Sequence, residues 1–273
     1  MTTRDAHPLA DELLALALET AGAAAELVRA GRAGAADQVD TKSNPVDVVT
    51  AVDRACEELV VSRLLGARPD DGVLGEEGAS RTGTSGVRWV VDPIDGTVNF
   101  LYGLDSFAVC IAAEVDGTTE VGVVVDVPTG EVFAAVRGRG AWSTRDGVRT
   151  PLRASAPPSV EQTLLATGFA YDAGIRARQG RVLAGLLPHV RDVRRFGSAA
   201  VELCLAAAGR VDGYYQLDLK PWDWTAAALV AAEAGLQVRV RTGYGPADPL
   251  VQAFPPGVAE ELDALLVELH AAG

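Results

Sequence analysis

Between Pro8 and Arg29 the positions Leu9, Leu13, Leu16, Thr20, Ala24 and Leu27 recur at three- and four-residue intervals, and Pro8 suits a first helical turn. This pattern predicts an amphipathic helix. A Gly/Ala-rich break and the polar stretch KSNPVD (Lys42 to Asp47) follow, and Thr50-Ala-Val-Asp53 then has the spacing of a capping box that opens a second helix, expected to reach about Leu65. Two helices are thus expected before the first strand. From Val87 to Ser143 the period changes: VRWVVD, SFAVCIAAEV, EVGVVVDV and EVFAAVRG are short β-rich runs divided by DG, PTG and RGRG. Turns that short join antiparallel neighbours.

A Pro/Ser-rich stretch at 151–158 reads as a seam within one domain, separating an N-terminal α+β part (1–150) from a C-terminal α/β part (159–273). Beyond it a strand LLATGFAY, a helix from Gln179 to Leu187, a strand DVRRF, a helix SAAVELCLAAAG, a strand VDGYYQL and a helix WTAAALVAAEAG alternate. A last helix is expected from Val258 to Ala271.

The 273 residues are 48% apolar and 22% charged, which describes a folded globular chain. Lys and Arg number 24 against 37 Asp and Glu, a net charge of −13, and this sign opposes direct binding of nucleic acid. An acidic enzyme can still take an anionic substrate where a metal cation reverses the local field. Cys56, Cys110 and Cys204 are far apart and form no metal or disulfide pattern, which suits a reducing, cytoplasmic compartment. No stretch approaches the length of a membrane span, and Asp and Glu interrupt the N-terminal apolar residues before a secretory core could form.

The chemistry concentrates in VVDPIDGTVNF, Val90 to Phe100. An apolar strand delivers Asp92 before Pro93 turns the chain, so that Asp92 and Asp95 flank a tight turn and can share hard cations. Gly96 lets backbone approach a ligand, and Thr97 brings a hydroxyl and an N–H to a helix start. Taken alone, D-P-I-D-G is also an ordinary solvated turn. LGEEG, Leu74 to Gly78, sets two adjacent carboxylates between glycines, an arrangement that is costly unless exposed or neutralised by a cation. Asp223 stands ahead of an Ala-rich helix, where a helix cap is a sufficient explanation. Around the Pro turn, Lys42, Asp47 and Asp53 read equally as a solvated loop and a cap.

In this order K-S-N-P-V-D-x-V-T-x-x-D, G-E-E, D-P-I-D-G-T-x-N-F, G-S-A-A-x-x-L and W-D resemble the inositol monophosphatase family of magnesium-dependent, lithium-sensitive phosphatases, from about Lys42 to Gly235. The resemblance implies an α+β fold of αβαβα layers, a homodimer, and two to three Mg2+ ions as cofactor. By it, Glu76, Asp92 and the Ile94 carbonyl would hold one ion, Asp92, Asp95 and Asp223 a second, and a third would sit near Glu76. Gly96 and Thr97 would offer N–H groups to the phosphate, while the Thr97 hydroxyl, held by Asp47, would help Glu76 orient the attacking water. Asp95, Gly197, Ser198, Ala199 and Gln216 would meet the alcohol portion.

Two departures bear on the substrate: Gln216 stands where the family has a glutamate, and Gly235-Leu236 where it has Gly-Gly. The implied reaction is hydrolysis of a small phosphorylated polyol or sugar, with myo-inositol 1-phosphate leading. Fructose-1,6-bisphosphate, histidinol phosphate and a 3′-phosphoadenosine nucleotide are alternatives on the same site. A non-catalytic regulatory protein that retains the fold is the competing reading from another class.

Overall fold

The computed structural model describes residues 6–32, 39–41 and 48–272. The first predicted helix is α1 (Ala6–Gly31) and the second α2 (Ala51–Ala67). Thr50 caps α2 as expected: its hydroxyl accepts from the Val52 and Asp53 amides, and Asp53 Oδ2 accepts in return from the Thr50 amide at 2.9 Å. Between the helices lies a small antiparallel hairpin, β1 (Val39–Thr41) and β2 (Val48–Thr50), that the expected order of two helices before any strand lacked. The connecting KSNPVD stretch, with Lys42 and Asp47, lies outside the described residues.

An eight-stranded sheet follows, made of β3 (Gly72–Gly75), β4 (Ser80–Arg81), β5 (Val87–Asp95), β6 (Ala108–Val115), β7 (Thr118–Asp126), β8 (Glu131–Val136), β9 (Ala141–Arg145) and β10 (Val148–Pro151). Its order is β10-β9-β8-β7-β6-β5-β3-β4. The runs read as antiparallel neighbours are so paired, and only β3 runs parallel to β5. Both faces are covered, so β5, β6 and β7 are nearly continuous apolar runs. Alternate residues serve different cores: Trp89, Val91 and Ile111 pack toward α1 and α2, whereas Val90, Cys110 and Val124 pack toward a middle helical layer.

The middle layer is α5 (Ala199–Ala207) and α6 (Pro221–Glu233), and its other side meets a second sheet. That sheet contains β11 (Leu164–Thr167), β12 (Asp192–Arg194), β13 (Gly213–Leu217), β14 (Gln237–Arg241) and β15 (Leu250–Phe254), in the order β12-β11-β13-β15-β14. It is mixed: β11 pairs parallel with β12 and β13, and β15 pairs antiparallel with β13 and β14. The outer layer is α4 (Ala173–Leu186) and α7 (Ala259–Ala272), whose Leu186, Leu262 and Leu266 cover Tyr215 and Phe254. Helix α4 starts six residues before Gln179, because Asp172 caps it by accepting from the Ile175 amide at 2.8 Å. The result is the αβαβα stack. Residues 151–158 carry the chain from β10 to the second sheet, and Leu152 within them is buried in the core shared by both sheets. Among the described residues no helix is long and apolar enough to cross a membrane.

Candidate active site

Asp92 ends the regular pairing of β5, opposite Cys110, and the register then slips before Asp95 pairs with Ala108. The slip at Pro93 turns the strand end into a loop whose two carboxylates face the middle layer, where α5 and α6 begin. Gly96 ends this loop with φ +97°, and a side chain there would press on the Ser106 and Gly197 carbonyls at 3.0 and 3.1 Å. Only glycine suits that place. Helix α3 (Thr97–Tyr102) starts immediately after it.

Five elements converge on one cavity of about 610 Å³. Glu76 enters from the turn after β3, Asp92, Ile94, Asp95, Gly96 and Thr97 from the end of β5, Gly197, Ser198 and Ala199 from the start of α5, and Gln216 and Asp223 from β13 and α6. Every predicted site residue among the described residues therefore lines one pocket; Asp47 lies outside them. The first turns of α3, α5 and α6 lie in its wall, which favours anionic groups there.

Each carboxylate is held differently. Asp92 is 1% exposed, and its Oδ1 accepts from the Ile94 amide at 3.0 Å. Asp95 Oδ2 accepts from the Ser198 hydroxyl at 2.6 Å and the Ala200 amide at 2.7 Å, which ties the loop to the α5 terminus. Asp223 is the third residue of α6 rather than its cap: its Oδ2 reaches back to the Lys220 amide at 2.7 Å, and Pro221 takes the first turn. The cap position is Lys220, three residues earlier, and a carboxylate at the third position satisfies the terminus from inside the helix.

The Thr97 hydroxyl, 6% exposed, lies 3.1 Å from Asp53 Oδ1 and 3.0 Å from the Ile94 carbonyl. Asp47, expected to hold this hydroxyl, lies outside the described residues; the carboxylate that meets the hydroxyl here is that of Asp53. From its neighbours that residue reads as a helix cap, and it performs both tasks: one oxygen caps α2 and the other meets Thr97. Three further residues were missed. Asn99 Nδ2 donates to the Ser106 and Phe196 carbonyls at 2.8 and 2.6 Å, and Glu202 Oε1 accepts from the Phe196 and Gly197 amides at 2.7 and 2.8 Å, so the 196–198 loop is gripped from both sides. Tyr214 donates its hydroxyl to Gln216 Oε1 at 2.7 Å.

Burial first, then repulsion by Glu76, Asp95 and Asp223, holds the Asp92 carboxyl well above the ordinary carboxylate range. Asp223 is raised in the same way by burial and by Glu76 and Asp95. Burial lifts Asp95 to about 6 despite its hydrogen bonds from Ser198 and Ala200, and lifts Glu202 to about 8. Such a cluster is unfavourable by itself and favourable around a hard cation, and its donors are all oxygen, as magnesium, manganese or calcium require. The donor set thus fits a divalent cation. Among the described residues no three acidic, His or Cys side chains converge at ligand spacing.

A pH effect follows. These carboxyls bind protons more tightly folded than unfolded, so the stability they contribute at low pH is lost as pH rises through their folded values. His270 has the opposite shift, to about 4 by burial, and its contribution is complete above its unfolded value near 6.5. Protein treated with EDTA is therefore expected to melt several degrees lower at pH 8.0 than at pH 6.5, and saturating magnesium should remove most of the difference by binding only the folded state. Calorimetry at the two pH values checks this; equal melting temperatures without metal would contradict it.

A family model described as inositol monophosphatase family matches residues 9–269. The inositol-1-monophosphatase SuhB of Mycobacterium tuberculosis is 46% identical over 252 residues, covering 90% of this chain and 87% of its own. A protein named Nus factor SuhB, from Pasteurella multocida, is 38% identical over 258 residues, covering 93% and 95%. The solved structure of Mycobacterium tuberculosis SuhB matches with a TM-score of 0.83 at 43% identity, over 95% of this chain and 97% of that one. A Thermotoga maritima IMPase matches at 0.82 and 27% identity, over 94% and 98%.

Proposed function

The chain belongs to the inositol monophosphatase family and is a metal-dependent phosphatase, and from that premise we propose that it hydrolyses a small polyol or sugar phosphate monoester with magnesium, myo-inositol 1-phosphate being the leading substrate. The observation that carries the reading is the gathering of Glu76, Asp92, Asp95 and Asp223 in one cavity beside the Thr97 hydroxyl. Glu76, Asp92, the Ile94 carbonyl, Asp95 and Asp223 would hold two to three cations. When bound, these supply charge relief to the phosphoryl oxygens and acidity to a water.

The chain's own groups do the rest. The Gly96 and Thr97 amides, in the cavity wall, bind the phosphate. Asp53 fixes the Thr97 hydroxyl, and that hydroxyl with Glu76 orients the attacking water. Gly197, Ser198, Ala199 and Gln216 surround the alcohol. The family resemblance extends to a cytoplasmic homodimer.

Substrate choice rests on Gln216. Its Oε1 is engaged by the Tyr214 hydroxyl, which burial keeps protonated by raising its pKa. What remains for a ligand is the amide's N–H groups and one neutral lone pair, whereas a glutamate would offer a charged acceptor to sugar hydroxyls. Hydrogen bonds to charged groups contribute about 1.5–3 kcal/mol against about 1 for neutral ones, so Gln216→Glu is expected to raise kcat/KM for inositol 1-phosphate about tenfold. The assay compares both enzymes on inositol 1-phosphate, fructose 1,6-bisphosphate, histidinol phosphate and a 3′-phosphoadenosine nucleotide. A uniform change across the panel would remove Gln216 from substrate selection. Absence of turnover on every ester would overturn the proposed activity and favour the second reading, a binding role, for which the relative named a Nus factor speaks.

A further inference from the structure

Helix α2 carries two buried carboxylates one turn apart, Asp53 and Glu57, which share a face because side chains at i and i+4 line up along a helix. Asp53 reaches the Thr97 hydroxyl. Glu57, 5% exposed, points instead into the turn that follows β3: its Oε2 accepts from the Glu77 amide at 2.8 Å and its Oε1 from the Ala79 amide at 2.9 Å. The same turn is closed by the Gly75 amide on the Ala79 carbonyl at 2.7 Å, and the Glu76 amide donates to the Val91 carbonyl at 3.3 Å. Gly75 makes room for this clamp, since a Cβ there would fall 2.3 Å from Glu57 Oε2.

We infer that Glu57 is a positioning residue for Glu76, fixing the acidic turn so that the Glu76 carboxylate stands at a set distance from Asp92 and Thr97. The inference rests on the reading of Glu76 as a metal ligand. The rigid turn of α2 between Asp53 and Glu57 then acts as a spacer: one end holds the hydroxyl that orients water, the other the loop that delivers a ligand, so both halves of the site are registered to a single helix. A carboxylate suits the task because its two oxygens accept from two amides at once. Outer groups that orient ligands in this way typically change metal affinity or activity by 10–100-fold when removed.

The test is direct Mn2+ binding to the full-length chain, followed by the electron paramagnetic resonance signal of the free ion, alongside kinetics and melting curves. Glu57→Ala is expected to weaken Mn2+ binding about tenfold, while KM for the ester at saturating metal stays close to wild type. Glu57→Gln keeps one acceptor but turns a donor toward the other amide, and is expected to lose less. A purely structural role would lower the melting temperature without moving the Mn2+ affinity, and that result in either folded variant overturns the inference. Should Glu57→Ala fail to fold, Glu57→Gln decides alone by the same criterion. The proposed activity fails separately: a wild-type chain that binds Mn2+ yet hydrolyses no ester sinks it, while the affinities of the two variants still decide the role of Glu57.

Discussion

Asp92→Asn is expected to abolish turnover, by about a thousandfold or more, and to leave the protein folded and more heat-stable than wild type at pH 8.0 when divalent cations are removed. The two effects have one cause. Asp92 is almost fully buried and stands among Glu76, Asp95 and Asp223, so its ionised form is opposed by burial and by three like charges. The amide has nearly the same volume and can still accept from the Ile94 amide through its oxygen, so the pairing opposite Cys110 is preserved. What is lost is the charge that a shared cation would need, and with it the field that turns this acidic pocket into a phosphate site. Relief of repulsion should raise the melting temperature of the metal-free protein and flatten its fall between pH 6.5 and 8.0. Activity and calorimetry on the same preparation check both halves. Near-normal turnover would remove Asp92 from the mechanism; lost turnover with lowered stability would mean that the amide disturbs the fold instead.

The second large effect concerns Thr97. Thr97→Ala should lower kcat by about a hundredfold or more while leaving Mn2+ affinity and KM close to wild type, since the hydroxyl orients water in this scheme and is not a cation ligand. Its surroundings leave little else for it to do: it lies within hydrogen-bond distance of Asp53 Oδ1 and of the Ile94 carbonyl, in a buried setting. Asp53→Asn should reproduce part of the loss, because an amide can still meet the hydroxyl. It should also weaken the start of α2, where Asp53 Oδ2 closes the capping box. Capping losses run to about 0.5–2 kcal/mol. The expected signature is thus a clean kinetic defect in Thr97→Ala and a mixed kinetic and stability defect in Asp53→Asn. An unchanged kcat in Thr97→Ala would contradict the assigned role.

Asp53 shows where a sequence stops being informative. Linear order offers no means of telling that a carboxylate at a helix start reaches a threonine more than forty positions away. Packing decides it. Cys56, Val60 and Leu64 bury one face of α2 against the first sheet, and that orientation carries Asp53 to Thr97 and Glu57 to the turn after β3. The capping signal at Thr50 was legible because it is local, set by residues three apart; the second use of the same carboxylate was not, because it spans 44 residues.

The same division holds across the fold. While the grouping of D-P-I-D-G-T with Glu76 and Asp223 as candidate chemistry comes from the family resemblance, periodicity and turn chemistry alone determine α1, α2, α5 and α6 and the antiparallel run from β5 to β8. They do so because helix faces, β-rich runs and tight turns are written in neighbouring residues. The parallel pairing of β3 with β5, the strands β14 and β15, and the mixed direction of the second sheet depend on how the chain returns through space, and short strands such as Leu250–Phe254 carry too little pattern to announce it. The site belongs to this second group. Its residues were visible one by one, but only the stacking of two sheets on α5 and α6 brings four separated acidic side chains into one cavity, where burial and mutual repulsion raise the pKa values of Asp92, Asp95 and Asp223 and make a cation the favourable partner.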